Sequence, residues 1–474
     1  MVTNIPLISG ANEICDVVKS VNDRIILINN DFRASQPIDR SRAYIRRIAV
    51  IGDSMEAQHS EISSANLYQY SRGYLHWVNM ELGGRVDFPI WGDTTNTMYG
   101  MNFGVGGETT TQIKARISSP FQYNIDALII GGGTNDLSQA VDAQTVIDNL
   151  QYMAELTLLK GVQAIVKSIP CRAIPSPDTG EWATNGNARK KRVYINKVMQ
   201  QYCLKNAGRG AIFWDCNQYI EDPTSAQGIP FANLSYDGTH WDGRGAELQA
   251  QSLIEILQAM IPPFAPFCES IADVYDVTLN PRGNVLPNAI FTGTGGVVST
   301  GGTGSAPDSW RVERQTGTPT FVSSLVANPD VPGAYWWQVV VTPTAGSSFD
   351  EVRLRTSTSG IFAPPAGSWM QGFANIEIPS ASGLLGASLK SREAALRSNY
   401  SLVFEDTTKP MPLKDLALVQ KLPVFQVLQA TGTDTVTFQF IMTVAQSGGD
   451  VTFRFGMPFL GIVDNPNTMY GVAP

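Results

Sequence analysis

Few residues in this 474-residue chain have the type and spacing to do covalent chemistry. The leading candidate is Ser54, in RRIAVIGDSMEAQ from Arg46 to Gln58. The apolar run Ile48 to Ile51 reads as a short buried strand that Gly52 ends. A serine on a tight turn at a strand end can present its hydroxyl while its backbone N–H opens the next helix. Gly-Asp-Ser alone is also ordinary turn chemistry, so the case depends on partners. A serine hydroxyl needs a base to take its proton, a group to hold that base, and donors for the oxyanion.

The chain has three histidines, His59, His76 and His240. His59 is too near Ser54 in sequence to approach it across a cleft. His76 falls in a helical stretch, where a packing role is the default. His240, in YDGTHWDGRG, has Asp237 three residues before it. On one turn that spacing puts both side chains on one face. One imidazole nitrogen can then face Asp237 and the other a serine.

Two glycine-dense loops offer donors. Asn102 to Glu108, NFGVGGE, precedes a helix start at Thr109 to Thr111, so its backbone N–H groups can point at an anion. Gly131 to Asp136, GGGTND, follows the strand ending at Ile130, and the Asn135 amide can donate. Each loop alone is a turn signal. Nucleophile, two donor loops and Asp-x-x-His in this order are an improbable coincidence.

The elements that must position these residues follow from periodicity. Between about 42 and 262 short apolar strands alternate with helices. The strands are Ile48–Ile51, Ala127–Ile130, Ala164–Ile169 and Ala211–Asp215. The helices are near Ala65 to Leu82, Ala143 to Leu159, Ala188 to Leu204 and Ala246 to Met260. The pattern predicts a parallel sheet with helices on both faces and a site at the carboxyl ends of its strands. Residues 261 to 269, IPPFAPFCE, mark a boundary. Beyond it come the Gly-rich stretch 293 to 304 and period-2 runs at Trp336 to Val341, Val436 to Val444 and Val451 to Phe455. These predict an antiparallel β-sandwich of about 200 residues.

Bulk properties narrow the function. Hydrophobic residues make up 43% and charged ones 16%, with 43 Gly and 28 Pro, a balance that leans towards β-rich extracellular or virion proteins. A net charge of −8 and a pI near 5.1 argue against nucleic acid and anionic membrane surfaces as partners. The five cysteines are scattered without a C-x-x-C pair and read as free thiols. The N-terminus lacks the basic and apolar regions of a signal peptide, and no 18-residue apolar window spans a membrane. Ile14, Val18, Val21, Ile25 and Ile28 form a two-heptad seam whose β-branched residues lean towards a trimer, and one amphipathic helix docked on its own domain fits the spacing at least as well.

Gly52-Asp53-Ser54, the glycine of GVGGE, GTND and DGTH resemble blocks I, II, III and V of the SGNH (GDSL-type) hydrolase superfamily, over about residues 42 to 262. The resemblance implies a flavodoxin-like three-layer α/β domain that hydrolyses esters or amides of acyl groups. By matching position it implies Ser54 as nucleophile, His240 as base and Asp237 as its orienter. The Ser54 and Gly107 N–H groups and the Asn135 amide would form the oxyanion hole. No metal or organic cofactor is needed. The family usually follows GDS with a small or apolar residue and then a glycine; this chain has Met55-Glu56-Ala57-Gln58 instead.

The resulting expectation has three regions. Residues 1–41 are a helix or coiled-coil neck with a linker, 42–262 the hydrolase domain, and 263–474 a jelly-roll-like sandwich. LPNAIF (286–291) together with APDSWRV (306–312) resembles the opening of carbohydrate-binding, jelly-roll-like modules and of phage tail accessory domains. The expected activity is removal of O-acetyl groups from a polysaccharide, as part of a bacteriophage tail spike or fibre among other tail proteins. Alternatives are a lipase-like or thioesterase-like enzyme of the same fold, and a non-catalytic glycan-binding tail protein. Trp310, Trp336, Trp337 and Trp369 are candidates for sugar stacking, although strand aromatics are more often core. The basic run Arg189 to Arg192 reads as a solvated face or an anchor for an acidic glycan.

Overall fold

The computed structural model describes residues 45–466, apart from 64–65, 70, 89–99, 262–269, 271, 347, 358–364, 366, 381–382, 394–396, 403–415 and 428–435. The seam at Ile14 to Ile28, with Cys15 and Cys268, lies outside the described residues. Residues 44–474 form one compact unit.

The first half is built from β1 (Ile48–Gly52), α1 (Ser54–Ala57), β2 (Ser60–Ser63), β3 (Asn66–Gln69), α2 (Tyr74–Glu81), β4 (Asn102–Gly104) and α3 (Thr110–Ala115). It continues through β5 (Ala127–Ile130), α4 (Thr134–Ser138), α5 (Ala143–Leu159), β6 (Gln163–Lys167), α6 (Ala188–Asn206), β7 (Ala211–Trp214) and α7 (Gly243–Leu257). Strands β4-β1-β5-β6-β7 form a parallel sheet in that order. Every residue of β1 and β5 is buried. That follows from uninterrupted apolar runs in a sheet covered on both faces. The chain steps from β1 to β4 on one side and returns to β5 on the other, so the order reverses at β1. In open α/β sheets ligands bind outside the carboxyl ends of the strands at such a reversal. Register pairs Gly52 with Gly104 and Ile51 with Ile130, bringing the three loops that follow to one edge.

The four strands predicted for the parallel sheet and the helix Ala143–Leu159 agree with the structure to within two residues at either end, whereas the run expected at Val451 to Phe455 continues as a strand to Val463. The helix expected near Ala65 to Leu82 does not begin there. Strands β2 (Ser60–Ser63) and β3 (Asn66–Gln69) form an antiparallel pair there, and among the described residues of this stretch only Tyr74–Glu81 is helical. The pair finds its ladder in the C-terminal half, a tertiary pairing that local sequence pattern does not show.

That half comprises β8 (Gly295–Val298), β9 (Gly302–Gly304), β10 (Ala306–Thr316), β11 (Thr320–Ala327), β12 (Tyr335–Thr342), β13 (Phe349–Thr356) and β14 (Trp369–Ser380). Then follow β15 (Leu384–Glu393), β16 (Arg397–Leu402), β17 (Leu416–Lys421), β18 (Phe425–Gln426), β19 (Val436–Ala445) and β20 (Val451–Val463). They make a sheet β17-β14-β20-β12-β11-β9 and a sheet β2-β3-β16-β15-β19-β13-β10-β8, with β18 beside β14. Inner-face aromatics of the two sheets interlock with one another and with Phe291 from the segment before β8. Phe440 stacks on Phe455 with ring centroids 5.3 Å apart, and Phe291 meets Trp310 edge-on at 5.2 Å.

This core corrects the sugar-stacking expectation. Trp310 and Trp337 are fully buried, and their indole N–H groups donate to Pro287 O and Ser323 Oγ. Trp336 is buried too, with Gly456 directly under its ring. None of the three has a free face for a pyranose. Trp369 is half-buried and packs against the core. Burying an indole gains more than leaving it in water, provided its N–H finds a partner.

Candidate active site

Ser54 is the first residue of α1. Asp53 caps that helix, its Oδ1 accepting the Met55 N–H at 2.9 Å. His240 comes from the loop between β7 and α7, and its Nε2 lies 2.8 Å from Ser54 Oγ. Its Nδ1 lies 2.6 Å from Asp237 Oδ2. A carboxylate only accepts, so Nδ1 carries the proton and Nε2 is left to accept from the serine hydroxyl. Asp237 is itself fixed: Oδ1 accepts the backbone N–H groups of Thr239 at 2.8 Å and His240 at 2.7 Å. Partial burial works to raise the Asp237 pKa, but the hydrogen bonds from His240 and Thr239 prevail and hold it below the usual value.

The donor side is also assembled. Gly107 has φ +81°, in the left-handed region, and the loop after β4 passes close to Ser54 at Gly106, where an added Cβ would lie 3.9 Å from Ser54 Cβ. Among the described residues, the backbone N–H groups of Ser54 and Gly107 donate to no protein acceptor. Asn135, in the first turn of α4, donates one amide hydrogen to Glu108 O at 2.9 Å and keeps the other. Asp136 beside it is buried and accepts from the Thr110 N–H and hydroxyl, locking α4 to the start of α3. Arg116 donates to the carbonyls of Gly52 and Phe103 and pairs with Glu108, tying the ends of β1 and β4 to the Gly107 turn. The structure thus brings together Ser54, Asp237, His240, Gly107 and Asn135. The other two histidines lie in a buried aromatic cluster with Tyr74 and Phe88, where His76 Nε2 donates to His59 O.

Sequence reasoning missed what lies beneath Ser54. Glu56 is fully buried and its Oε1 accepts from Lys167 Nζ at 2.7 Å. The ammonium also faces the rings of Tyr74 and Trp214, 4.6 and 5.6 Å from their centroids. Added Cβ atoms at Gly52 and Gly131 would meet the Glu56 carboxylate at 2.3 and 2.6 Å. The missing glycine after Gly-Asp-Ser therefore reflects a buried carboxylate, for which two neighbouring glycines leave room. Asp53 sits next to this pair. Burial, and then the Glu56 charge, push its carboxyl up to about 7. The one available signal was a glutamate two residues after the serine, in a stretch otherwise reading as buried.

The basic run divides: Lys190 is exposed, as on a solvated face, while its two arginines are not. Arg189 is buried and donates to the carbonyls of Arg172, Ala173, Trp182 and Gln227, and Arg192 is buried against Glu221. Both hold the loops after β6 and β7 in place.

A hydroxyl bonded to a carboxylate-anchored imidazole, beside open backbone donors, is the arrangement with which serine hydrolases transfer acyl groups. The α/β layer carries a site of that class. The sequence arrives there separately: residues 50–248 match the model of the GDSL-like Lipase/Acylhydrolase family. The match runs from within β1 to within α7, and it supports an ester-cleaving hydrolase. The chain has no match among curated proteins. Among solved structures, it is similar to a GDSL-like lipase from Bacteroides thetaiotaomicron at 16% identity and a TM-score of 0.34, over 50% of this chain and 97% of that one. It is also similar to a catalytic mutant of an acetylxylan esterase from Geobacillus stearothermophilus, at 16% identity and a TM-score of 0.32, over 45% of this chain and 94% of that one.

Proposed function

We propose that the protein is a serine esterase that removes small acyl groups, O-acetyl above all, from a polysaccharide. The observation that carries this reading is the continuous chain Ser54 Oγ, His240 Nε2, His240 Nδ1, Asp237 Oδ2, with contacts of 2.8 and 2.6 Å. Ser54 Oγ attacks the ester carbonyl carbon as its proton passes to His240 Nε2. The carbonyl oxygen becomes an oxyanion held by the Ser54 and Gly107 N–H groups and the Asn135 amide. The intermediate collapses, His240 returns the proton to the departing sugar oxygen, and an acyl-serine remains. Water, deprotonated by His240, then attacks the acyl carbon, and acid leaves as Ser54 recovers its proton.

The cap on Asp53 and the clamp by Arg116 fix these groups before substrate arrives, which is where most such rate enhancement originates. The seam at Ile14 to Ile28 and the β-rich C-terminal half support placement in a trimeric phage tail fibre acting on a bacterial surface glycan. Acetate release from O-acetylated bacterial polysaccharides and from 4-nitrophenyl acetate tests the reading. The Ser54→Ala variant should lose both activities, and acetate release that survives in it would sink the assignment. Light scattering of the full chain tests the trimer.

A further inference from the structure

The loop after β6 places a cation at the rim of this site. Arg172 lies against the catalytic loop, with one terminal nitrogen donating to the hydroxyl of Thr239, the neighbour of His240. The other donates to Ser138 Oγ at 2.9 Å, one turn along α4 from Asn135. The backbone docks as well, since the Ala173 N–H donates to Gly238 O at 2.9 Å.

Its seat is rigid. The guanidinium lies 5.1 Å from the Trp182 ring centroid, the Trp182 indole donates to the same Ser138 hydroxyl, and buried Arg189 holds the carbonyls of Arg172, Ala173 and Trp182. Yet both side-chain partners of Arg172 are neutral hydroxyls, and among the described residues no carboxylate forms an ion pair with it. A guanidinium has five N–H donors in a planar fork that matches a carboxylate. Burial disfavours its charge, while Asp237 and Asp53 favour it from a distance. An anion arriving with substrate would supply the missing partner.

We propose that Arg172 binds a carboxylate on the sugar that carries the ester, or on its neighbour, so that the substrate is an acidic polysaccharide. This rests on the esterase reading above. The fork is half-buried between the loop that supplies His240 and α4, which supplies Asn135. A carboxylate there therefore sets the position of the scissile ester relative to Ser54. The protein's net charge of −8 gives no general attraction to a polyanion, so recognition of charge has to be local.

The test compares three substrates: O-acetylated polygalacturonate, the same polymer with its carboxylates converted to methyl esters, and 4-nitrophenyl acetate. The wild-type protein should show kcat/KM about tenfold or more higher on the charged polymer than on the methylated one, the range expected for a charge-assisted hydrogen bond. Arg172→Gln should remove that preference, bringing the ratio of kcat/KM on the charged and methylated polymers to within about twofold of one. Equal wild-type rates on both polymers would overturn the proposal. An equal loss on all three substrates in Arg172→Gln would do the same, because Arg172 would then only hold the Thr239 loop. Should the variant not fold, the wild-type comparison decides alone. A wild-type protein inert towards 4-nitrophenyl acetate and both polymers sinks the esterase reading itself; one active on all three without charge preference sinks only this inference.

Discussion

Replacing Glu56 by Gln probes the buried ion pair beneath the nucleophile. Its side chain and that of Lys167 are 1% and 2% exposed and 2.7 Å apart, so neither charge has water as an alternative partner. Gln keeps the shape and the Oε1 acceptor but removes the negative charge. Lys167 is then a buried cation facing two rings, and aromatic faces replace only part of a carboxylate. Breaking a buried pair by removing one partner costs about 3–5 kcal/mol, because the other charge is left uncompensated. Unfolding entropy is about 2.1 cal/mol/K per residue, or roughly 0.9 kcal/mol/K for the compact unit 44–474. If that unit melts in one step, Tm should fall by about 3–6 °C. If the α/β layer melts alone, its smaller entropy makes the drop about 7–12 °C. Scanning calorimetry reads the shift. The double variant Glu56→Gln/Lys167→Met removes the stranded charge and should recover most of the lost Tm, since apolar replacement of a buried pair is often neutral. A Glu56→Gln protein that melts within a degree of wild type, or a double variant that melts lower than the single one, would refute the reasoning.

Asn135→Ala removes one proposed oxyanion donor and should lower kcat on 4-nitrophenyl acetate by about 10²–10³-fold, with KM little changed. A drop confined to KM would show that the amide binds the ground state instead. The pH dependence of stability separates two opposing groups. Burial lowers the His76 pKa to about 4, so below pH 6.5 the unfolded chain takes up a proton that the fold refuses, and stability falls as pH drops towards 4. Asp53 acts in the opposite sense: with a folded value of about 7 against 3.8 unfolded, the fold takes up a proton that the unfolded chain does not, and stability rises as pH drops through the same window. Asp53→Asn keeps the helix cap and removes that offset. The variant should lose about 3 kcal/mol more than wild type between pH 7.5 and 4. Denaturant midpoints at a series of pH values check this, and parallel curves for the two proteins would show that Asp53 is ionised in the fold.

The parallel sheet was legible because its strands are short, apolar and uninterrupted, the pattern that burial on both faces imposes. Ser54, Asp237, His240 and Asn135 were legible as candidates because each lies in a loop or first helical turn beyond a strand, or just before the last helix, and has the side chain the chemistry needs. Gly107 was legible only through the resemblance of the glycine block Gly104 to Gly107 to the family's second block, and its left-handed backbone emerges in the structure. What stayed hidden has a common cause. The roles of Glu56, Lys167, Arg116 and Arg172 are set by partners 8 to 111 residues away, and nothing local distinguishes a buried ion pair from a solvated charge. The same blindness made Arg189 and Arg192 look like a surface run. They are anchors for loop carbonyls and for Glu221. Period-2 alternation located Trp336 and Trp337 in a strand and required them to point to opposite faces. It could not show that both faces are covered.

The antiparallel pair β2–β3 explains how the two halves depend on one another. It begins three residues after α1 ends, and α2 starts five residues after it closes. Its outer pairing is with β16, in parallel register from Leu67 opposite Asn399 to Gln69 opposite Ser401. The eight-stranded sheet therefore includes two strands from the segment between the nucleophile helix and α2. From α2 come Tyr74, whose hydroxyl reaches Glu56, and His76, which bonds the His59 carbonyl. On its far side α2 lies against β17. The support beneath Ser54 thus passes through a backbone ladder belonging to the β-rich half. Trp310, Trp336 and Trp337 belong to the core of the β-rich half, and that half meets the site through this segment: α2 carries Tyr74 to the buried pair that Glu56 of α1 makes with Lys167 of β6.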